Sequence, residues 1–223
     1  MLPYESNDPL FDAPAYSLAS AARYLRIQPG TLREWCIAKR DLPALILTAN
    51  VQPLELSFAN LLECHVIRAL RERLSLESVR NGIVTAKSMY DTIHPLLDPR
   101  ARTDGASLLF QTSDEHELVD VSHGGQVVMR PIVSMFLQRI SWDDTKLFPF
   151  VKDASPDEPK IVSIGLRIAS GRSVIDGTGI STAIIASRFS AREHPLVLAK
   201  EYGLTEEQVY EAIRWERPYG AAA

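Results

Sequence analysis

The stretch GRSVIDGTGIS, Gly171–Ser181, is where the residue types of this sequence come nearest to phosphate chemistry. A P-loop cups phosphates with backbone amides between two glycines and reaches their charge with a following lysine. Gly171 and Gly177 are one residue too far apart for that loop, and no lysine follows. A dinucleotide-binding turn accommodates Gly177 and Gly179, but Thr182 then stands at its third glycine. That fold also requires a parallel strand after the helix, where this chain continues with more helical patterns. Asp176-Gly177 between SVI and TGI reads instead as a two-residue hairpin turn, because these residues tolerate the positive φ that such a turn demands. No cofactor is expected.

The other candidate groups form no catalytic constellation. His65, His94, His116, His123 and His194 are scattered, with no pair at metal-ligand spacing, and Cys36 and Cys64 lie in no C-x-x-C motif. Asp114/Glu115 and Asp143/Asp144 fall in expected turns, where solvated side chains are the ordinary reading. Ser122-His123 and Ser190 lack the setting of a nucleophile. The expectation is a protein that is not an enzyme and holds no metal.

Recognition chemistry is better represented. Between Ser17 and Arg40 the charges are Arg23, Arg26, Arg33, Lys39 and Arg40 against Glu34 alone, in a chain whose net charge is -4. An overall acidic balance excludes a wholesale polyanion binder, whereas a local basic segment is the footprint of phosphate contact. The same segment reads as two short helices: Ser17 caps Leu18, Ala21, Ala22 and Leu25, and Thr31 caps Leu32, Trp35 and Cys36, with RIQPG between them. In such a helix-turn-helix, Thr31 and Arg33 at the start of the second helix reach base edges. Arg23 and Gln28 touch the DNA backbone, and Lys39 and Arg40 complete the DNA-binding set.

The elements that must position these residues follow from pattern. At 223 residues and 46% hydrophobic composition the chain can bury a core in more than one unit. Residues 1–15 read as a flexible arm, and residues 16–100 as the DNA-binding domain, with a small wing in ALILTANVQPLELSF. Two helices follow, one started by Ser57 over Leu61, Leu62, Val66 and Leu70, the other started by Ser75 or Leu76 over Val79, Ile83 and Val84. Residues 101–151 form a mixed middle segment: a hairpin from ASLLFQT and HELVDVS, a helix cut by Pro131, and strands in FLQRISW and before Pro149. KDASPDEP lies in a linker at 152–160. Residues 161–217 give a strand, the glycine turn and three helices, the last with a Thr205/Gln208 capping box after Gly203, and 218–223 are a tail. The class is α+β, mostly α with small β elements. The N-terminus lacks a signal sequence and no stretch is apolar enough to span a membrane, so a cytoplasmic protein is expected.

With those residues in view, GRSVIDGTGI and LAKEYGLTEEQVYEAIRWE, Gly171–Ile180 and Leu198–Glu216, resemble the domain-of-unknown-function 433 family. Ser173 stands where that family usually has proline, and Gly179 where it usually has arginine. YSLASAARYLRIQPGTLREW resembles a MerR-type helix-turn-helix, though the wing lacks the arginines common in that family. The combination is similar to long VapB-type antitoxins of bacterial toxin-antitoxin pairs. That resemblance implies a homodimer that binds operator DNA, represses its own operon and neutralises a cognate PIN-like ribonuclease toxin. Arginines suit the acidic, metal-binding centre of such a toxin, which makes Arg167, Arg172 and Arg217 the candidates for toxin binding. The competing reading is a stand-alone MerR-like transcriptional regulator whose C-terminal part senses a ligand or dimerises.

Overall fold

The computed structural model describes residues 8–38, 42–98, 134–151 and 154–218. Lys39, Arg40 and the hairpin and Pro131-cut helix expected within 101–133 lie outside the described residues. The chain divides into two compact units, residues 1–138 and 139–223. Helices and small antiparallel sheets give the α+β class.

The first unit opens with α1 (Pro9–Asp12), capped by the Asp8 side chain, which accepts from Leu10 N at 3.1 Å. Phe11 is buried and meets Phe58 edge-on at 6.1 Å between centroids. Within the segment expected to be a flexible arm, Phe11 is thus anchored in the core while most of its neighbours in residues 8–15 are exposed. Strand β1 (Tyr16–Ser17) leads into α2 (Leu18–Leu25). Ser17 caps α2 as expected, accepting from Ser20 N, and Ala21, Ala22, Tyr24 and Leu25 are buried. Arg26 ends the helix in a left-handed conformation, φ 54°.

The second helix, α3 (Pro29–Cys36), begins earlier than the sequence suggests. Gln28 is its N-cap residue and Pro29 occupies the first helical position, where a missing N–H costs nothing. Thr31 thus sits inside the first turn and caps nothing. Leu32, Trp35 and Cys36 face the core, and the Trp35 carbonyl receives Leu45 N at 2.8 Å, tying the following loop to the helix end.

The wing is present as β2 (Asn50–Val51) and β3 (Leu54–Leu56), with β1 on the far edge of β3 in antiparallel order β1-β3-β2. A capping box between Ser57 and Asn60 starts α4 (Phe58–Arg71), and Asn60 also reaches the wing. Its Oδ1 accepts from Ala49 N at 3.1 Å and its Nδ2 donates to Leu47 O at 2.8 Å. Nearly every residue of α4 is buried, so this helix is the axis of the unit. Ser75 caps α5 (Leu76–Tyr90), which buries Val79 and Ile83 but leaves Val84 exposed.

In the second unit β4 (Ile140–Ser141), β5 (Lys146–Leu147), β6 (Val162–Gly165) and β7 (Ser173–Ile175) form one antiparallel sheet in that order. The strand expected through FLQRISW shrinks to β4, since residues 134–137 are helical. The division of the chain after Gln138, rather than in a linker at 152–160, follows from two observations. Leu147 pairs with Ile164, stitching β5 to the later sheet. The buried Arg139 guanidinium donates to the carbonyls of Phe148, Glu158, Pro149 and Pro159 at 2.8, 2.6, 3.1 and 3.3 Å. The proposed linker is thus strapped to the sheet by one side chain.

After β7 come α6 (Thr182–Ser190), α7 (Pro195–Tyr202) and α8 (Glu206–Glu216). Their core joins Ile175, Ile185, Leu198, Val209 and Ala212. Gly203 ends α7 at φ 66°, and the Thr205/Gln208 capping box starts α8, both as expected. The three helices are fastened by polar contacts as well. Thr182 Oγ1 donates to Glu216 Oε1 at 2.5 Å, and Arg188 is paired with Glu193 and Glu201.

Candidate nucleic-acid interface

Helix α3 turns its Leu32, Trp35 and Cys36 inward, and the complementary face carries Gly30, Thr31, Arg33 and Glu34 into solvent. Gln28, just ahead of it, is exposed and makes no capping bond with its side chain. Pro29 has no N–H, so the amides of Gly30 and Thr31 are the ones that lie at the positive end of the helix dipole. Gly30 has open space where a Cβ would stand. This surface can meet an anionic backbone closely and present a hydroxyl and a guanidinium beside it.

Side chains of the following helices tie both ends of this segment to the unit. Arg68 on α4 donates to Leu25 O at 2.9 Å and so holds the end of α2. Arg80 on α5 donates to Pro43 O at 2.9 Å and holds the loop that follows α3. Burial pushes the Cys36 thiol up to about 12, which leaves it as packing on the inner face of α3 rather than as a nucleophile.

The structure separates the basic residues that sequence counting pooled. Arg33 is exposed; Arg23 is half-buried with its guanidinium 4.8 Å from the Tyr24 ring centroid. Arg26 is buried at the left-handed end of α2, so its charge does not belong to the outer face. Lys39 and Arg40 lie outside the described residues. The exposed wing tip, Val51, Gln52 and Pro53, contributes no cation.

In the second unit Arg167, Arg172 and Arg217 are all exposed. Arg167 and Arg172 flank the 3-10 turn Ala169–Gly171, and Arg217 follows the last residue of α8. Ser173 Oγ lies 3.5 Å from Glu216 Oε1, so the neighbours of Arg172 and Arg217 meet at one end of α8. The glycine turn is accounted for by backbone conformation. Thr178 N returns to Ile175 O at 3.2 Å, as expected for a turn centred on Asp176-Gly177. Positive φ occurs at Gly177 and Gly179 but not at Asp176, which differs from the expected hairpin turn with both central residues left-handed. Pairing with β7 resumes only at Ile180 and Ser181. Neither glycine has a group within 4 Å of a would-be Cβ, so what they supply is turn geometry rather than a cradle. The surrounding sheet is antiparallel, unlike the parallel sheet of a dinucleotide fold.

One group that the sequence did not single out is assembled by the fold. His94 stands between Glu63 and Asp12, at 2.9 and 2.7 Å. The three residues are too far apart in the chain for spacing to relate them. Among the described residues no group of three His, Cys, Asp or Glu side chains is arranged to hold a metal ion, and no helix is long and apolar enough to cross a membrane.

One unit of short helices around a three-stranded sheet, and a second of a four-stranded antiparallel sheet with three terminal helices, make up the α+β architecture. Residues 162–215 match the family described as a protein of unknown function, DUF433. Over 226 aligned residues the chain is 26% identical to a protein of Mycobacterium tuberculosis (strain ATCC 25618 / H37Rv) named "Putative antitoxin VapB45", covering 91% of this chain and 94% of that one. It is also similar to the crystal structure of Rv2018 from Mycobacterium tuberculosis, with a TM-score of 0.67 and 25% identity over 91% of this chain and 99% of the other.

Proposed function

We propose that this chain is an antitoxin of a bacterial toxin-antitoxin pair, which neutralises a PIN-like ribonuclease toxin and represses its own operon. The observation that carries the reading is the extent of the likeness to the mycobacterial protein named as an antitoxin. That likeness takes in nearly the whole length of both chains, well beyond the DUF433 segment. In this reading α3 enters the major groove, with Thr31 and Arg33 at base edges and Arg23, Gln28, Lys39 and Arg40 on the phosphate backbone. A homodimer places two such helices on a two-fold operator site. Arg167, Arg172 and Arg217 are the contacts assigned to the acidic centre of the toxin. The protein works in the cytoplasm, without a cofactor of its own.

The test is purification of the tagged full chain after co-expression with the product of the adjacent gene. A stable complex that still retards the DNA upstream of the gene pair is the expected result. A chain that binds that DNA but never captures the neighbour would instead be a stand-alone regulator.

A further inference from the structure

His94 is held between two carboxylates that arrive from distant parts of the first unit. Its Nδ1 lies 2.9 Å from Glu63 Oε2 on α4, and its Nε2 lies 2.7 Å from Asp12 Oδ1 at the end of α1. A hydrogen bond at each ring nitrogen needs a proton in each gap. With both carboxyls ionised the ring must be imidazolium; with a neutral ring one carboxyl must supply the proton. The closed arrangement therefore holds two protons among three groups and carries one net negative charge.

The two arms are unequal. Glu63 and His94 are buried, whereas the Asp12 side chain is 53% exposed. Among the described residues, the other contacts of the ring and its amide are uncharged: Phe11 meets the imidazole edge-on at 6.3 Å, and Thr92 Oγ1 accepts the His94 amide at 3.2 Å. Asp12 from α1 and Glu63 from α4 are the charged groups that face the ring. When one proton leaves, a bare ring nitrogen faces a carboxylate oxygen, and only Asp12 can withdraw into water. Asp12 ends α1, so its withdrawal loosens that helix.

We propose that Asp12, His94 and Glu63 form a protonation-dependent latch that fastens α1 to α4 and releases it on the alkaline side. The proposal is independent of the DNA and toxin readings. Burial alone disfavours the imidazolium, but the bonds and charges of Glu63 and Asp12 outweigh it and raise the His94 pKa. A base whose pKa is raised by folding contributes its full stability below its unfolded value of about 6.5 and loses it as pH climbs through the raised value. Burial raises the Glu63 carboxyl as well, which acts in the same direction.

Hydrogen exchange of the intact protein at pH 6 and pH 9, expressed as protection factors, tests the latch. The Phe11 amide, bonded to Asp8 O at 2.9 Å, should lose protection severalfold at the higher pH, while amides of α4 keep theirs. Asp12→Asn supplies a carboxamide that can donate to the bare nitrogen or accept from the protonated one, so its α1 should be protected equally at both pH values. Equal protection of wild-type Phe11 at both pH values would overturn the proposal. So would an undiminished pH effect in Asp12→Asn, or a loss shared by α4.

Discussion

At the scale of the residue, Arg139 shows how one side chain replaces a hydrophobic anchor. It is buried, its donors are taken up by carbonyls of two separate chain segments, and its guanidinium stacks 4.8 Å from the Phe150 centroid. Removing the fork leaves the Phe148 and Pro149 carbonyls, whose bonds to it are buried, without their donor. Arg139→Ala should therefore lower stability by roughly 3 kcal/mol, and Arg139→Lys should recover only part of it, because an ammonium cannot reproduce the planar fork. A urea midpoint unchanged in both variants would contradict this. Gly177 poses the opposite problem: space is open around it and only its φ of 75° constrains the residue type. Gly177→Ala should cost about 1 kcal/mol through backbone strain alone. Unchanged thermal stability would show that the turn relaxes.

At the scale of the element, most of the helices were legible because their signals are local. Ser17, Ser57, Ser75 and Thr205 each cap the helix they were expected to start. Thr31 misled because proline at the first helical position moved the start of α3 back to Gln28, and a hydroxyl residue after a glycine resembles a cap. The later position leaves the Thr31 side chain on the exposed face of α3 rather than at its cap. Gly30, in a helical turn with open space around it, should accept alanine with a gain of about 0.4–1 kcal/mol in stability. If α3 lies against DNA, the added methyl group should weaken operator retention in a gel shift while the melting temperature rises. Full retention with higher stability would remove that part of α3 from the interface. Asn60 links the start of α4 to the wing through Leu47 and Ala49. Asn60→Ala should cost about 2 kcal/mol, read from the urea midpoint, and an unchanged midpoint would mean that water replaces the side chain.

At the scale of the whole molecule, the division of the chain was not legible from composition. KDASPDEP has the residue types of a linker, yet a buried arginine and a four-strand register bind its neighbourhood into the second unit. Local pattern carries no information about which distant carbonyls an arginine will meet, and the same holds for the Asp12–His94–Glu63 group. The candidate interface was legible in part: Thr31, Arg33 and Gln28 emerge on one exposed surface, whereas Arg26 was lost to the interior by a left-handed turn that charge counting ignores. In the proposed antitoxin, DNA recognition and toxin neutralisation belong to different units, and this separation can be measured directly. The product of the adjacent gene is expressed alone, with the wild-type chain, and with Arg33→Ala, while growth and operator retention are followed together. Growth arrest by the neighbour alone, relief by both forms of the chain, and operator retention by the wild type only are the expected results. A neighbour that does not arrest growth, or an arrest that neither form relieves, would contradict the proposal.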